Sequence, residues 1–218
     1  MLDYRMVRIV IWLLISVLLI RKTPLGSKKN YVILTLLTCV VGLSSLSTQF
    51  PVENIFVGYQ SPEDVFNYYR GGKMVGSIVE VVDGKSSSMI VFSKNNDFGW
   101  IFITPETDKG YVIPSWFTVE KYTRNLDEQS YGPFIVNITI YKVVDTNDYF
   151  YYGSIITEVE NVSITDSNNV NVKHFYRDDT SFNSSIIFYG YVENLTGEYQ
   201  FLIGDQKVSI ENQLKTAP

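Results

Sequence analysis

Few side chains in this sequence have the chemistry of a catalytic base, a nucleophile or a metal ligand. The chain has one histidine, His174, and one cysteine, Cys39. One imidazole and one thiolate cannot supply the usual ligands of a zinc site, and one cysteine cannot form an internal disulfide. Histidine is the residue type most often used as a general base, but the strand-like pattern of residues 172–176 favours a histidine on a sheet surface for His174. Cys39 lies in an apolar run, where cysteine usually behaves as a small apolar residue.

Pairs of acidic residues are the other candidates for chemistry. Cleavage of a glycan needs two carboxyl groups about 5–10 Å apart across a cleft, with one of them in a dry pocket. Acids that are neighbours in a turn usually point into water, so the pairs in this chain favour solvated turns over catalysis. These pairs are Glu63/Asp64, Glu106/Asp108, Asp127/Glu128 and Asp178/Asp179.

Two acidic loops, residues 145–148 and 166–169, carry oxygen-bearing side chains at alternate positions, as calcium loops do. Neither continues into the required glycine and glutamate, so both predict hairpin turns. The chain has no Gly-x-Ser-x-Gly motif, and residues 86–88 have the composition of a turn. The sequence therefore predicts no catalytic residue, no cofactor-binding residue, no metal ligand and no cofactor.

Aromatic runs and glycosylation motifs offer two further interpretations. Residues 149–152 and 188–191 could stack on a glycan or a protein, but alternate members of each run should face a sheet interior. The Asn-x-Ser/Thr motifs are typical of chance occurrence in an Asn- and Ser-rich chain. They lie at Asn137, Asn161, Asn183 and Asn194.

Charge is distributed unevenly along the 218 residues. Residues 1–50 hold six basic side chains and one acid, whereas residues 51–218 hold 12 basic and 22 acidic ones, a net charge of −10. A cationic apolar head followed by an anionic body is typical of a membrane anchor that carries a domain. Nucleic acid is not an expected partner, because phosphate binding needs a basic surface.

Two apolar segments form the predicted membrane anchor, residues 1–50. Residues 30–52 carry no charge over 23 positions, enough to span about 30 Å of hydrocarbon, and we place the spanning segment at 31–50. The first segment, residues 6–20, is shorter and either spans with local thinning or lies at the interface. The four basic residues between the segments should stay in the cytoplasm, which predicts an extracytoplasmic location for residues 51–218.

Alternative interpretations of this head stay open. Residues 28–47 also fit a signal peptide with Ser45 and Ser47 at cleavage spacing. Residues 36–39 faintly resemble a lipid-attachment box, although apolar residues follow the cysteine. A face of small residues could instead pack against another membrane protein and make the chain its regulatory partner. This face consists of Thr35, Thr38, Gly42 and Ser45.

One short helix and a meander of strands are predicted for residues 51–122. Ser61 as the N-cap, Pro62 at the first position and acids in the first turn predict a helix over 61–69. Asp83-Gly84 is a typical hairpin turn. The strand patterns around it suit a sheet covered by the helix on at least one face. They lie at 74–82, 89–92, 98–103 and 111–113, the last with a possible extension to 122.

Residues 123–131 are polar and predict a linker, and residues 132–218 predict a small β-sandwich, Ig-like in strand count. Phe134–Tyr141 alternates cleanly between apolar and polar positions, as in a half-buried strand. The predicted fold class is therefore α+β and mainly β, with an N-terminal transmembrane hairpin. The other strand patterns lie at 149–156, 161–165, 170–176, 185–192, 199–203 and 207–210.

Several longer stretches carry a resemblance to a known family. They are Phe50–Phe56, Ser61–Tyr68 with Val79–Gly84, Asn161–Asn168, Phe188–Asn194 and Tyr199–Lys207. In these stretches the chain resembles a family of uncharacterised two-helix membrane-anchored extracytoplasmic proteins of Gram-positive bacteria. The resemblance implies architecture and location and carries over no active site. The chain departs from the family in its short first apolar segment and in the position of Gly99-Trp100 before the following turn.

The predicted function is a non-catalytic, membrane-anchored extracytoplasmic module that binds an envelope protein or a wall polymer. The lack of cysteine after residue 39 suits a bacterial surface without an oxidising disulfide system. The alternatives are a hydrolase that acts on the cell wall with paired carboxylates, and a regulatory partner of another membrane protein.

Overall fold

The computed structural model describes most of the chain after residue 50. The described residues are 33, 39, 51–70, 76–94, 97–115, 117–123, 129–131, 133–159, 161–168, 170–177 and 184–210. The predicted anchor segments 6–20 and 31–50 lie outside them, except that Ile33 and Cys39 are helical and exposed. Among the described helices, none is both long and apolar enough to cross a membrane.

A 3₁₀ helix, Val52–Ile55, leads into one α-helix, α1, Pro62–Arg70. The Asp64 backbone N–H donates to the Ser61 hydroxyl at 3.2 Å, which confirms the predicted N-cap. An antiparallel sheet follows in the order β1-β2-β3-β4, here called the first sheet. Its strands are β1 (Ile78–Asp83), β2 (Ser87–Lys94), β3 (Asp97–Thr107) and β4 (Gly110–Tyr111).

One face of the first sheet packs against α1. Phe66 is the centre of this contact, with its ring centroid 4.9 Å from that of Phe92 and 5.6 Å from that of Phe102. Val65 and Ile90 are fully buried in the same cluster. The helix therefore covers one face of the first sheet, as the apolar pattern on both sides of β2 predicted.

The second half of the chain forms two further antiparallel sheets. The second sheet has the order β10-β11-β8-β7-β5, with β6 also paired to β7, and the third sheet has the order β13-β12-β9. The second sheet comprises β5 (Val119–Thr123), β6 (Gln129–Tyr131), β7 (Phe134–Val143), β8 (Asp148–Thr157), β10 (Lys173–Arg177) and β11 (Ser184–Glu193). The third comprises β9 (Ile164–Asp166), β12 (Gln200–Ile203) and β13 (Gln206–Ser209).

The second and third sheets share an apolar core. Along β7, Phe134, Val136, Ile138 and Ile140 are all buried and face the third sheet, as the alternation predicted. Phe201 of β12 packs into this core, so the third sheet covers one face of the second. The protein is mainly β with antiparallel sheets and one α-helix in the described part of the chain.

Strand β5 differs from its predicted place. The extension of the fourth strand to residue 122 assigned it to the first sheet, but Val119–Thr123 pairs with β7 in the second sheet. Pro114, which lacks a backbone N–H, lies between β4 and β5 and cannot continue a ladder. Within the predicted linker 123–131, Gln129–Tyr131 forms β6 and also pairs with β7. These pairings carry the chain into the second sheet earlier than the polar composition indicated.

Candidate functional site

The first and second sheets pack face to face. Met89 and Val91 of β2 lie in one buried cluster with Phe150 of β8 and with Ile187 and Tyr189 of β11. Because α1 and the third sheet cover the outer faces, β2, β8 and β11 are apolar on both sides. In the described residues, the two halves of the chain therefore share a buried cluster, and α1 and the three sheets are stacked in four layers.

A buried carboxylate fastens the β1–β2 hairpin of the first sheet to the second sheet. Asp148, at the start of β8, is only 1% exposed. Its Oδ2 accepts the Ser86 backbone N–H at 2.7 Å and the Ser87 hydroxyl at 2.6 Å. Its Oδ1 accepts the Tyr191 hydroxyl at 2.9 Å and the Lys85 backbone N–H at 3.2 Å. Four donors thus satisfy both oxygens, as a buried charge requires.

The charge state of Asp148 follows from these contacts. Burial by itself raises the pKa of Asp148, but the hydrogen bonds from Ser87, Ser86, Tyr191 and Lys85 outweigh it and lower the pKa below its ordinary value. Burial and the bond to Asp148 raise the pKa of Tyr191 to about 12, so its hydroxyl stays a donor. A carboxylate held ionised by fixed donors suits a structural clamp and is a poor general acid.

A second polar contact joins the same two sheets at the edge of β1. Glu80 pairs with the Lys173 ammonium of β10 and accepts the Tyr189 hydroxyl of β11 at 2.6 Å. Burial raises the pKa of Glu80, whereas its bonds to Lys173 and Tyr189 lower it, and the net shift is downward. The Lys173 side chain is 56% exposed. This second clamp is therefore open to water, unlike the one at Asp148.

Five residues of β7 and β8 lie on the face that meets the first sheet but outside the buried cluster between the two sheets, and they are here called the open strip (Ile135, Asn137, Thr139, Ser154 and Ile156). These residues lie on the same face as Tyr141 and Val143, which do reach the inter-sheet core. Asn137 is exposed and the other four are half-buried. In the strand register Asn137 faces Ser154, and Ile135 faces Ile156. The strip thus presents amide and hydroxyl groups, with a pair of apolar side chains at one end.

Strand β3 passes over the second sheet next to the open strip, at Tyr152 of β8. Gly99 of β3 has φ +96°, and an added Cβ there would lie 2.5 Å from the Tyr152 hydroxyl. Only glycine allows the backbone to pass this close. Within the described part of the chain, the side chains of Asn137, Thr139 and Ser154 make no hydrogen bond. These three side chains can therefore form hydrogen bonds with water or with a ligand.

The structure places His174 on β10, the edge strand of the second sheet, with an exposed side chain. Its Nδ1 lies 2.9 Å from the Val172 carbonyl oxygen, and its ring meets the Tyr176 ring edge-on with centroids 5.9 Å apart. Both contacts are local to the strand. His174 is not part of the open strip or of either clamp, although its chain neighbour Lys173 belongs to the second clamp.

The sequence-neighbour acid pairs do not form a cleft among the described residues. Glu63 and Asp64 occupy the first turn of α1, whereas Glu106 and Asp108 are exposed near the β3–β4 turn. Asp127/Glu128 and Asp178/Asp179 lie outside the described residues. In the described part of the chain, no group of three or more His, Cys, Asp or Glu residues could hold a metal ion.

In both acidic loops, a carboxylate accepts hydrogen bonds from other groups of the protein. Asp145 has φ +61° in the β7–β8 turn, and Asp148, three residues on, belongs to the clamp. Asp166 Oδ1 accepts the backbone N–H groups of Asn168 and Val170, both at 2.9 Å, and its Oδ2 accepts the Tyr199 hydroxyl at 2.9 Å. The Asp166 carboxylate thus shapes its own turn.

The aromatic runs and most of the glycosylation motifs can also be placed. Phe150 and Tyr151 are buried on opposite faces of β8, and Phe188 and Tyr189 on opposite faces of β11. Both runs therefore supply the two cores rather than a stacking surface. Of the motif asparagines, Asn137 lies in the open strip, Asn161 and Asn194 are exposed with positive φ, and Asn183 lies outside the described residues.

Sequence reasoning missed the roles of Asp148 and Glu80. In the sequence, Asp148 stands out only as part of an acidic loop, and residues 86–88 have only the composition of a turn. An acid at the first position of an apolar strand is an unusual signal, but three of its donors lie more than 60 positions earlier in the chain and the Tyr191 hydroxyl lies 43 positions later. No local pattern connects the two segments.

Comparisons with known proteins identify no homologue of this chain. No protein-family model matches the chain, and no curated protein or solved structure matches it significantly. The function must therefore be argued from the residues and their geometry.

Proposed function

We propose that this protein is a membrane-anchored extracytoplasmic binding module without catalytic activity, whose body holds an envelope protein or wall polymer against the open strip. The carrying observation is the open strip itself, because it is a rigid sheet surface with uncommitted hydrogen-bonding groups. A sheet surface that presents hydrogen-bonding groups beside apolar side chains has the features of an interaction surface.

Rigidity supports this role. The two clamps and the inter-sheet core fix β7 and β8 relative to the first sheet, so the strip is presented without rearrangement. A binding surface built on strands holds its geometry better than one built on loops. The body can thus act as a fixed platform.

The anchor and the location rest on the sequence. The basic head, the uncharged segment at residues 30–52 and the acidic body support an integral membrane protein with residues 51–218 outside the cytoplasm. The resemblance to two-helix membrane-anchored proteins of Gram-positive bacteria supports the same arrangement. For the finer fold assignment we propose that residues 132–218 make up most of an Ig-like β-sandwich. The shared core of the second and third sheets supports this assignment, and β5 and β6 add residues 119–123 and 129–131 to the same sandwich.

A wall hydrolase is the alternative function. It requires one carboxyl group with a raised pKa in a pocket. Asp148 is the most buried acid described, yet its pKa is lowered and both its oxygens are bonded. These observations favour binding over hydrolysis. A regulatory role through the small-residue face at Thr35, Thr38, Gly42 and Ser45 involves residues outside those described.

Retention on wall polymer tests the binding proposal. Full-length protein in detergent should be retained on insoluble peptidoglycan or by an envelope-protein extract, and Asn137→Arg and Ser154→Arg should each reduce retention about tenfold by blocking the strip. Ser163→Arg, at an exposed serine between β8 and β9, is the matched control and should retain the wild-type level. Equal retention by all three variants would remove the open strip from the proposal.

Protease shaving of whole cells tests the location separately. Cleavage of the body in intact cells is expected if residues 51–218 are extracytoplasmic. Protection in intact cells, with cleavage only after lysis, would refute the location.

A further inference from the structure

Three consecutive apolar side chains protrude from the body at its N-terminal end. Ile55 is 62% exposed, Phe56 is 77% exposed and Val57 is 44% exposed. Phe56 is the most exposed large apolar side chain described. We call these three residues the apolar triplet.

The backbone of the triplet is held firmly. The N–H groups of Phe56 and Val57 donate to the Glu53 carbonyl oxygen at 2.9 and 2.8 Å, and the Lys109 ammonium donates to the Ile55 carbonyl oxygen at 3.0 Å. Directly after the triplet, Tyr59 and Tyr111 exchange two backbone hydrogen bonds of 2.8 and 2.9 Å. The protruding side chains are therefore a built feature of the surface.

The position of the triplet in the chain indicates its occupant. It begins three residues after the uncharged segment at residues 30–52, which is long enough to cross a bilayer. A chain that leaves the hydrocarbon at this point keeps the next few residues within reach of the lipid headgroups, since each residue spans at most about 3.5 Å. Exposed aromatic and aliphatic side chains at that depth partition into the interface.

We propose that the apolar triplet inserts into the outer surface of the bilayer and seats the body on the membrane. The inference rests on the proposed membrane anchor. It adds a second contact, at the membrane interface, that fixes the orientation of the body relative to the bilayer. The anchor would otherwise act as a simple tether, and the open strip could take any orientation to the membrane.

Site-specific fluorescence in vesicles tests this contact. The full-length chain with Cys39→Ser is given one cysteine, Phe56→Cys, labelled with an environment-sensitive dye, and reconstituted into phosphatidylcholine–phosphatidylglycerol vesicles. The matched control carries Val170→Cys, at an apolar residue that is 58% exposed in the β9–β10 loop. Spin-labelled lipid should quench the dye at position 56 about threefold more than at position 170, with a blue-shifted emission.

Equal quenching at the two positions would overturn the inference while leaving the anchor intact. Shielding of position 56 from water without lipid quenching would also overturn it, since that result indicates a second copy of the chain. Alkaline carbonate extraction separates these outcomes from failure of the proposed anchor. Release of the protein from the vesicles would overturn the anchor and, with it, the seating of the triplet.

Discussion

The Ser87 hydroxyl donates to Asp148 Oδ2 at 2.6 Å, although the two residues are 61 positions apart in the chain. Through this bond the hairpin of the first sheet is fastened to the first residue of β8. The same carboxylate also binds two backbone N–H groups of the hairpin. Asp148 therefore links the two halves of the body, and its replacement should loosen both.

Replacement of Asp148 by asparagine should destabilise the body by about 2 kcal/mol, because charge-assisted hydrogen bonds are lost and buried donors are left poorly paired. The measurement is urea unfolding of the full-length protein in detergent, followed by tryptophan fluorescence. Asp145→Asn is the matched control, since it alters an exposed acid in the same turn at a φ that asparagine tolerates. Equal stability of the two variants would contradict the role of Asp148.

The stability contributed by Asp148 and Glu80 should depend on pH. The ordinary pKa is 3.8 for Asp148 and 4.5 for Glu80, and the folded-state pKa of each group lies below that value. The contribution is therefore fully present above those ordinary values and is lost as the pH falls through the lower folded-state pKa. The difference in unfolding free energy between wild type and Asp148→Asn should be constant at neutral pH and shrink below about pH 4. A difference that grows on acidification would refute this assignment.

Replacement of Gly84 by alanine should crowd the Asp148 clamp. An added Cβ would lie 2.9 Å from Asp148 Oδ2 and 3.0 Å from the Ser87 carbonyl oxygen. We expect a loss of about 1–3 kcal/mol, typical of overpacking. In a double-mutant cycle with Asp148→Ala, the cost of Gly84→Ala should be smaller, because part of the crowding is relieved. If the two changes in unfolding free energy were fully additive, the new methyl group would not be in contact with the Asp148 carboxylate.

At the second clamp, Tyr189→Phe should cost more than Lys173→Met. The Tyr189 hydroxyl, from a residue that is 4% exposed, donates to Glu80, and its loss should cost about 1 kcal/mol. Lys173 is more than half exposed, and such pairs contribute about 0–1 kcal/mol. Urea unfolding at low and high salt measures both variants. In high salt, only the Lys173 variant should approach the wild type in its free energy of unfolding. A larger cost for Lys173→Met than for Tyr189→Phe would contradict this account.

Local patterns were sufficient for most elements of the body. The N-cap at Ser61, the hairpin turn at Asp83-Gly84 and the alternation along β7 each depend on neighbouring residues, and the structure confirms them. The assignment of β5 failed because a strand of five residues carries no signal for its partner. Val119 meets Val143 only through a long-range pairing.

The candidate sites show the same division. The apolar triplet is visible as three letters in the sequence, but only its exposure distinguishes it from core residues. The open strip arises because its residues lie outside the buried contact between the first and second sheets, and the extent of that contact depends on how the two sheets dock. Neither the register nor the docking of these sheets has a local determinant.

By itself, the sequence determined most strand and turn positions, the amphipathic helix α1 and the separation of charge between head and body, since each follows from residue type and spacing. The tertiary structure alone decided which strands pair, that buried clusters join each sheet to the next, and that Asp148 and Glu80 join the first sheet to the second. The physical reason is that burial and hydrogen bonding between distant segments depend on packing in three dimensions, which no short window of sequence contains.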